Sequence, residues 1–395
     1  MIFYDLQKFF PLVDFFYNFG EYENELVCDK LFYSEEVINF YSDLVKNSFL
    51  KNIKSPFWIV NKSVQEENYR IYSTLKLSEA HIKYLNKNGI SLYITEPLNF
   101  YEDCFEKNDL LYYIDKFAKN NNLKKLTVFT CEKNISHLNK IYKNIKILSK
   151  NVFLTIVSCS NNLDFIFDDK KDKIVKKFWC GNIEYNQHRH FIMCFLFSKS
   201  GNYSWYHKKK ILRNKFYCPK FLTDINIERN FIDTIAKHND KYLERLLLND
   251  KELNLKCPVI MDNKRSSKNS SIIKYYDECF CAIITETIFN SPYSDISEKT
   301  LYAIAYGKPF IVVGTSGCLE YLKSLGFMTF EDFWDESYDF EKDAQKRMLK
   351  IFDLIEHIDS FSIDELKNMY EKMLPILKHN MDVLKTLQYN DKVFT

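Results

Sequence analysis

Residues 281–314 read CAIITETIFNSPYSDISEKTLYAIAYGKPFIVVG, and the reading of this stretch decides the fold. Ala282–Ile284 is a short apolar run of the kind that forms a strand buried on both faces. Thr285-Glu286-Thr287 follows where that strand leaves its sheet. After a loop, Ser297-Glu298-Lys299-Thr300 opens a helix, with Ser297 as its N-cap because a serine hydroxyl accepts a free amide of the first turn. Gly307 suits the left-handed position just past a helix end, and Pro309 begins a second strand that runs to Gly314. The expected unit over 279–314 is therefore strand–loop–helix–strand, a parallel pair joined by a helical crossover.

In open α/β sheets ligands bind beyond the carboxyl ends of the strands, which makes Glu286 a ligand-facing position. The free amides and dipole of the helix start at Ser297 favour an anion such as a diphosphate. Lys299 adds a full positive charge in a first turn where the dipole alone disfavours one, so an anionic ligand accounts for it. Glu298, acceptor-only when ionised, suits a pair of ribose hydroxyls. The competing reading is an ordinary solvated helix start with a capping carboxylate. Gly314-Thr315-Ser316-Gly317 either lets backbone approach a ligand or simply turns the chain.

Outward from this unit the same alternation recurs. Strands are expected at Pro56–Val60, Ile90–Ile94, Lys125–Thr130, Ile145–Leu148 and Val152–Cys159, with helices at Leu77–Lys87, Asp109–Asn120 and Ile135–Asn144 between them. That spacing implies a doubly wound parallel sheet. The charged run at 168–172 marks a domain boundary. Beyond it, Ile174–Cys180 is a strand candidate and Asn186–Phe197 a helix, with further helices at Ile227–Ala236, Lys241–Leu248 and Cys318–Leu325. Asp262–Ser271 is polar and reads as a loop, and apolar spacing near 3.6 residues makes 343–387 helical. The expected architecture is α/β, with an acceptor-side domain over 1–170, a donor-side domain over 175–340 and helices over 341–395.

Composition excludes several classes. The 395 residues carry 55 basic and 53 acidic side chains for a net charge of +2, without the basic excess of a dedicated nucleic-acid binder. The 11 cysteines lack C-x-x-C pairs and sit mostly in apolar runs, so they are expected to be reduced core thiols of a cytoplasmic protein. The apolar opening over 1–20 is broken by Asp5, Lys8, Pro11 and Asp14; it is expected to pack into the core and is not a signal peptide. No transmembrane helix is expected. The abundance of 34 Phe and 27 Tyr against 8 Gly and 8 Pro reflects a compositional bias of the kind AT-rich coding produces.

The pattern T-E-T-x9-S-E-K-T-x6-G-x-P-F-I-V-V-G resembles the donor-binding half of GT-B-type glycosyltransferases, most of all the α-1,3-fucosyltransferase type with its F-E-N-S…T-E-K block. It is also similar to a set of phage and giant-virus proteins, through YLKSLGFMTF at 321–330 and WDESYD at 334–339. A second match is Asn182 followed by His188-Arg189-His190 and Ser204-Trp205. The resemblance spans roughly 175–340. It implies two Rossmann-like domains facing a cleft, a nucleotide-sugar donor (GDP- or UDP-linked), no tightly bound cofactor, and Arg189 on the donor diphosphate. The Asn of the family block is Thr287 here, which leaves the nucleotide open. A helix-surface position between two histidines is the plainer reading of Arg189.

The same resemblance implies transfer without a metal. Lys299, Arg189 and the Ser297 helix start would neutralise the departing diphosphate. Glu286 would hold the sugar or stabilise charge at its anomeric carbon, and Glu96, just past the Leu92–Ile94 strand, is the candidate base for the acceptor hydroxyl. The acidic end of LDFIFDD at 163–169 lacks a D-x-D spacing and reads as a loop rather than a metal site. YSWYHKKKILRNK at 203–215 reads as a basic helix face that could alternatively grip an anionic acceptor. His188, His190 and His207 read as helix surface. The expected partners are a nucleotide-sugar and a glycan, lipid-linked or other hydroxyl acceptor. Two competing readings are a viral transferase that glycosylates DNA bases and a non-catalytic glycosyltransferase-like binding module.

Overall fold

The computed structural model describes residues 13–17, 57–60, 77, 79–94, 110–130, 132, 135–149, 171–182, 187–204, 242, 270–291, 293 and 296–389. The chain divides into two compact units. The first comprises 1–163, 291–295 and 385–395, and the second 164–290 and 296–384. Both are mixed α/β, with sheets built mainly from parallel strands.

The first unit holds a five-stranded sheet among the described residues. In chain order its elements are β1 (Val13–Tyr17), β2 (Phe57–Val60), α1 (Glu79–Asn88), β3 (Ile90–Ile94), α2 (Leu110–Asn120), β4 (Leu126–Thr130), α3 (Leu138–Ile141) and β5 (Lys146–Ser149). The strand order is β1-β2-β3-β4-β5. Strands β2 to β5 pair in parallel, as their intervening helices require. Strand β1 pairs antiparallel to β2, which makes a sheet strand of part of the opening segment expected only to pack into the core. The α2 face carrying Leu111, Ile114, Phe117 and Ala118 is buried with Leu92, Ile94, Val128 and Ile147 of the strands. Tyr293 belongs to this core, and its hydroxyl lies 2.8 Å from His137 Nε2.

The described elements of the second unit are β6 (Lys176–Gly181), α4 (Gln187–Leu196), β7 (Gly201–Ser204), α5 (Ser270–Glu278), β8 (Cys279–Thr285), α6 (Glu298–Ala305), β9 (Phe310–Val313), α7 (Cys318–Ser324), α8 (Ala344–Asp359) and α9 (Ile363–Tyr389) as far as residue 384. Among the described residues its four strands are all parallel, in the order β7-β6-β8-β9. Every residue of β8 and β9 is buried, as continuous apolar runs covered on both faces should be. The helix α6 ends as its sequence dictates. Gly307 takes a φ of 59°, and the amides of Gly307 and Lys308 reach back to Ile304 O at 3.1 Å and Ala303 O at 2.9 Å. On the other flank, Lys199 is buried between Glu356 (2.8 Å) and Asp359 (2.9 Å) of α8, fastening the α4–β7 turn to the C-terminal helices. Cys180, Cys194, Cys279, Cys281 and Cys318 are buried free thiols.

Candidate functional site

The strand order places the site. After β6 the chain crosses to β7 on one side, and the later strands β8 and β9 extend on the other. The direction of winding therefore reverses between β6 and β8, the kind of point at which open α/β sheets bind their ligands. Asn182 directly follows β6 and Glu286 directly follows β8. The Thr285 hydroxyl donates to Asn182 Oδ1, joining the two strand ends, and both residues are buried.

Helix α4 begins directly beyond this edge, and its first turn delivers two side chains to Glu286. The Nε2 of His188 lies 2.9 Å from the Glu286 carbonyl, and Arg189 Nη2 donates to the same oxygen at 3.2 Å. Both residues are buried, His188 to 5% and Arg189 to 6% exposure, so neither is on the helix surface. That corrects the surface reading of His188 and removes it as the alternative for Arg189. A carbonyl can only accept, so His188 carries its proton on Nε2 and a lone pair on Nδ1. Burial first, and then the Arg189 charge, hold its pKa down at about 3; Lys299 and Arg347 push the same way, while the bond to Glu286 opposes them. Three cationic groups thus act on one neutral ring at the strand edge.

Glu286 is 1% exposed. Its Oε1 accepts the Ser297 amide at 3.0 Å and the Thr300 hydroxyl at 2.6 Å, so the carboxylate organises the start of α6. Ser297 is the N-cap, with its Oγ accepting from the Lys299 amide at 3.3 Å. Lys299 Nζ lies 3.2 Å from Glu298 Oε1 and 3.4 Å from Ser297 Oγ, and these two charged side chains remain partly solvent-exposed at 28% and 38%. The charges are therefore placed at the helix start and stay accessible, whereas Glu286 lies beneath them.

Gly314 directly follows β9, beside Glu286. A Cβ there would fall 3.3 Å from both Cβ and Cγ of Glu286 and 3.0 Å from Cys318 Sγ, so the bare backbone is what lets the two strand ends close up. The following turn resolves into local structure. Gly317 adopts a φ of 83°, and the first amides of α7 are already taken, Leu319 N by Asp339 Oδ1 at 3.0 Å and Glu320 N by Asp339 Oδ2 at 3.1 Å. A resident carboxylate occupies the place an external anion would need.

Arg347 of α8 completes the arrangement and was not singled out in the sequence. Fully buried, it donates from Nε to Gly314 O (3.1 Å), from Nη1 to Glu341 O (2.7 Å) and Lys342 O (3.2 Å), and from Nη2 to Phe289 O. Its guanidinium stands 4.4 Å from the Phe289 ring, against which His188 also stacks at 5.4 Å. The available signal was its place on the apolar stripe with Ile351 and Ile355, where a charged residue has to be satisfied from elsewhere.

The structure therefore brings Arg189, Glu286, Ser297, Glu298, Lys299 and Gly314 to one sheet edge, together with Asn182 and His188. Glu96, the run 163–169 and residues 205–215 lie outside the described residues. Among the described residues no three His, Cys, Asp or Glu side chains gather at metal-binding distance, and no helix is long and apolar enough to cross a membrane.

No family model matches this chain, and no curated protein does. Among solved structures, it is similar to a DNA-modifying β-glucosyltransferase determined in the presence and absence of its substrate uridine diphosphoglucose. The two are 12% identical, with 90% of this chain and 89% of that chain covered, at a TM-score of 0.42.

Proposed function

We propose that this protein is a GT-B-like glycosyltransferase, a two-domain enzyme that moves a sugar from a nucleotide-sugar to a hydroxyl acceptor without using a metal. The observation that carries this reading is the convergence of Arg189, Glu286 and the Ser297–Lys299 helix start at the point where strand order reverses. A dinucleotide-like or diphosphate ligand belongs at such a point on topological grounds. The charge distribution suits it, since Arg189, Lys299 and Arg347 all depress the His188 pKa from around one edge.

In this reading the donor diphosphate lies beside the start of α6 against the Lys299 ammonium, with Arg189 behind. The Ser297 and Lys299 amides are already taken by Glu286 Oε1 and Ser297 Oγ, so the side-chain charges carry the contact. The acceptor oxygen forms a bond to the anomeric carbon as the bond to the diphosphate oxygen breaks, and the electron pair leaves with the diphosphate. Cations placed there before reaction stabilise that developing charge. Binding would draw Lys299 from Glu298, whose carboxylate is then available to ribose hydroxyls. Glu286, held through Oε1, faces the sugar through its remaining carboxylate oxygen. The acceptor proton goes to a base, for which Glu96 is the candidate.

The test is thermal stabilisation of the full chain by UDP, GDP, CMP and their sugars. One nucleoside diphosphate at millimolar concentration should raise the melting temperature by several degrees, as binding linkage requires. Absence of any stabilisation across the series would overturn the reading.

A further inference from the structure

Among the described residues Phe340 is the most exposed large apolar side chain, at 70%. Its exposure is not that of a loose loop. The WDESYD segment before it is fastened residue by residue. Trp334 packs on Phe330 and Phe280, and buried Glu336 accepts from the Phe330 amide at 2.7 Å and the Thr329 hydroxyl at 2.6 Å. The Tyr338 hydroxyl accepts the Val312 amide of β9 at 3.3 Å. Asp339 caps α7 with its carboxylate and takes the Gly317 amide on its carbonyl at 2.8 Å. On the other side, Glu341 O accepts from Arg347 Nη1 at 2.7 Å.

That last bond locates the ring. The guanidinium that reaches Glu341 O also reaches Gly314 O, and Gly314 backs directly onto the Glu286 side chain. Phe340 therefore sits between two pinned residues beside the turn that leaves β9, on the carboxyl edge of the same sheet. An aromatic ring left exposed at that place forgoes most of its apolar burial. A flat π surface next to a diphosphate site is what a nucleobase needs, since every base has a face to stack.

We propose that Phe340 is the platform on which the base of the nucleotide donor stacks, an inference that rests on the nucleotide-sugar reading. Stacking contributes affinity without choosing among bases, so the ring serves whichever nucleotide the site takes. The WDESYD segment is the device that holds the platform out: four buried residues fix the backbone so that the fifth side chain faces solvent.

The experiment is calorimetric titration of the full chain, wild type and two variants, with inorganic pyrophosphate and with whichever of UDP and GDP binds the wild type more tightly. Phe340→Ala should weaken the nucleotide about ten- to a hundredfold, the scale of one stacked base, while pyrophosphate affinity stays within about twofold. Phe340→Trp should retain nucleotide affinity. Unchanged nucleotide affinity in Phe340→Ala, or equal losses for nucleotide and pyrophosphate, would overturn the platform and leave the nucleotide reading standing. A wild type that binds neither nucleotide nor pyrophosphate would overturn both. The ring is exposed, so an unaltered melting temperature is expected for each variant.

Discussion

The Oε1 of Glu286 lies 2.6 Å from the Thr300 hydroxyl, so the residue that directly follows β8 also fixes the first turn of α6. Strand end and helix start are one structural object, and the accessible charges of Glu298 and Lys299 ride on it. A carboxylate in such a position has two separable tasks, holding the turn and meeting the ligand.

Those tasks come apart in two substitutions. Glu286→Ala strands the buried Ser297 amide and Thr300 hydroxyl and should cost about 2–4 kcal/mol of stability, read by urea denaturation. Glu286→Gln keeps a carbonyl oxygen for both donors and should cost about 1 kcal/mol or less. If the carboxylate charge acts on the sugar, Glu286→Gln should nonetheless lose transfer activity by at least tenfold with nucleotide affinity little changed. Full activity in the Gln variant would confine Glu286 to holding the turn.

Lys299 stands on different ground, because its 3.2 Å pair with Glu298 is partly exposed and such pairs add at most about 1 kcal/mol. Lys299→Ala should leave the melting temperature nearly unchanged and weaken nucleoside diphosphate binding about tenfold or more. The loss should shrink as salt rises, since screening weakens the wild-type attraction too. A loss equal for nucleosides and nucleoside diphosphates would remove Lys299 from the diphosphate.

The elements of this site were legible in sequence where local chemistry decides them. Ser297, Gly307 and Pro309 each have a conformational preference that marks a boundary, and α6 and β9 fall within a residue of it. Strand β1 was not legible, because its antiparallel pairing depends on β2, more than forty residues away, and no period-2 pattern with polar alternation announces it. The helix expected over Ile135–Asn144 is only Leu138–Ile141, so apolar spacing overstated its length. The burial of His188 and Arg347 was hidden for another reason. Each is satisfied by backbone carbonyls far away in the chain, Glu286 O for one and Gly314 O and Phe289 O for the other, and carbonyls leave no signature in composition.

His188 makes stability depend on pH in a defined window. Its folded pKa is about 3, against about 6.5 unfolded, so between these values the unfolded chain binds one more proton than the folded one. The contribution is fully present above pH 6.5 and is lost progressively as pH falls toward 3, at up to about 1.4 kcal/mol per unit. His188→Gln keeps a donor for the Glu286 carbonyl but does not titrate. Its unfolding free energy, measured between pH 6.5 and 4, should therefore fall less steeply than the wild type's by about one proton. Parallel slopes would mean that His188 charges within the fold.

Arg347 offers the sharpest test of how the sheet edge is held. Its guanidinium ties four carbonyls, those of Gly314, Phe289, Glu341 and Lys342, that belong to three separate segments. Burial pushes its pKa down, while Cys318 and the nearby carboxylates of Asp339, Glu341 and Asp343 oppose that shift. Arg347→Met fills the apolar stripe of α8 yet leaves those carbonyls without their donor, and should cost more than about 3 kcal/mol. Arg347→Lys keeps the charge, but an ammonium offers three donors from one atom and lacks the planar fork needed to reach all four oxygens. It should still cost about 2 kcal/mol, and because Phe289 O and Gly314 O lose their common anchor, nucleotide affinity should fall along with stability. A Lys variant with wild-type stability would show that charge alone, not the fork, holds the β8 and β9 ends together.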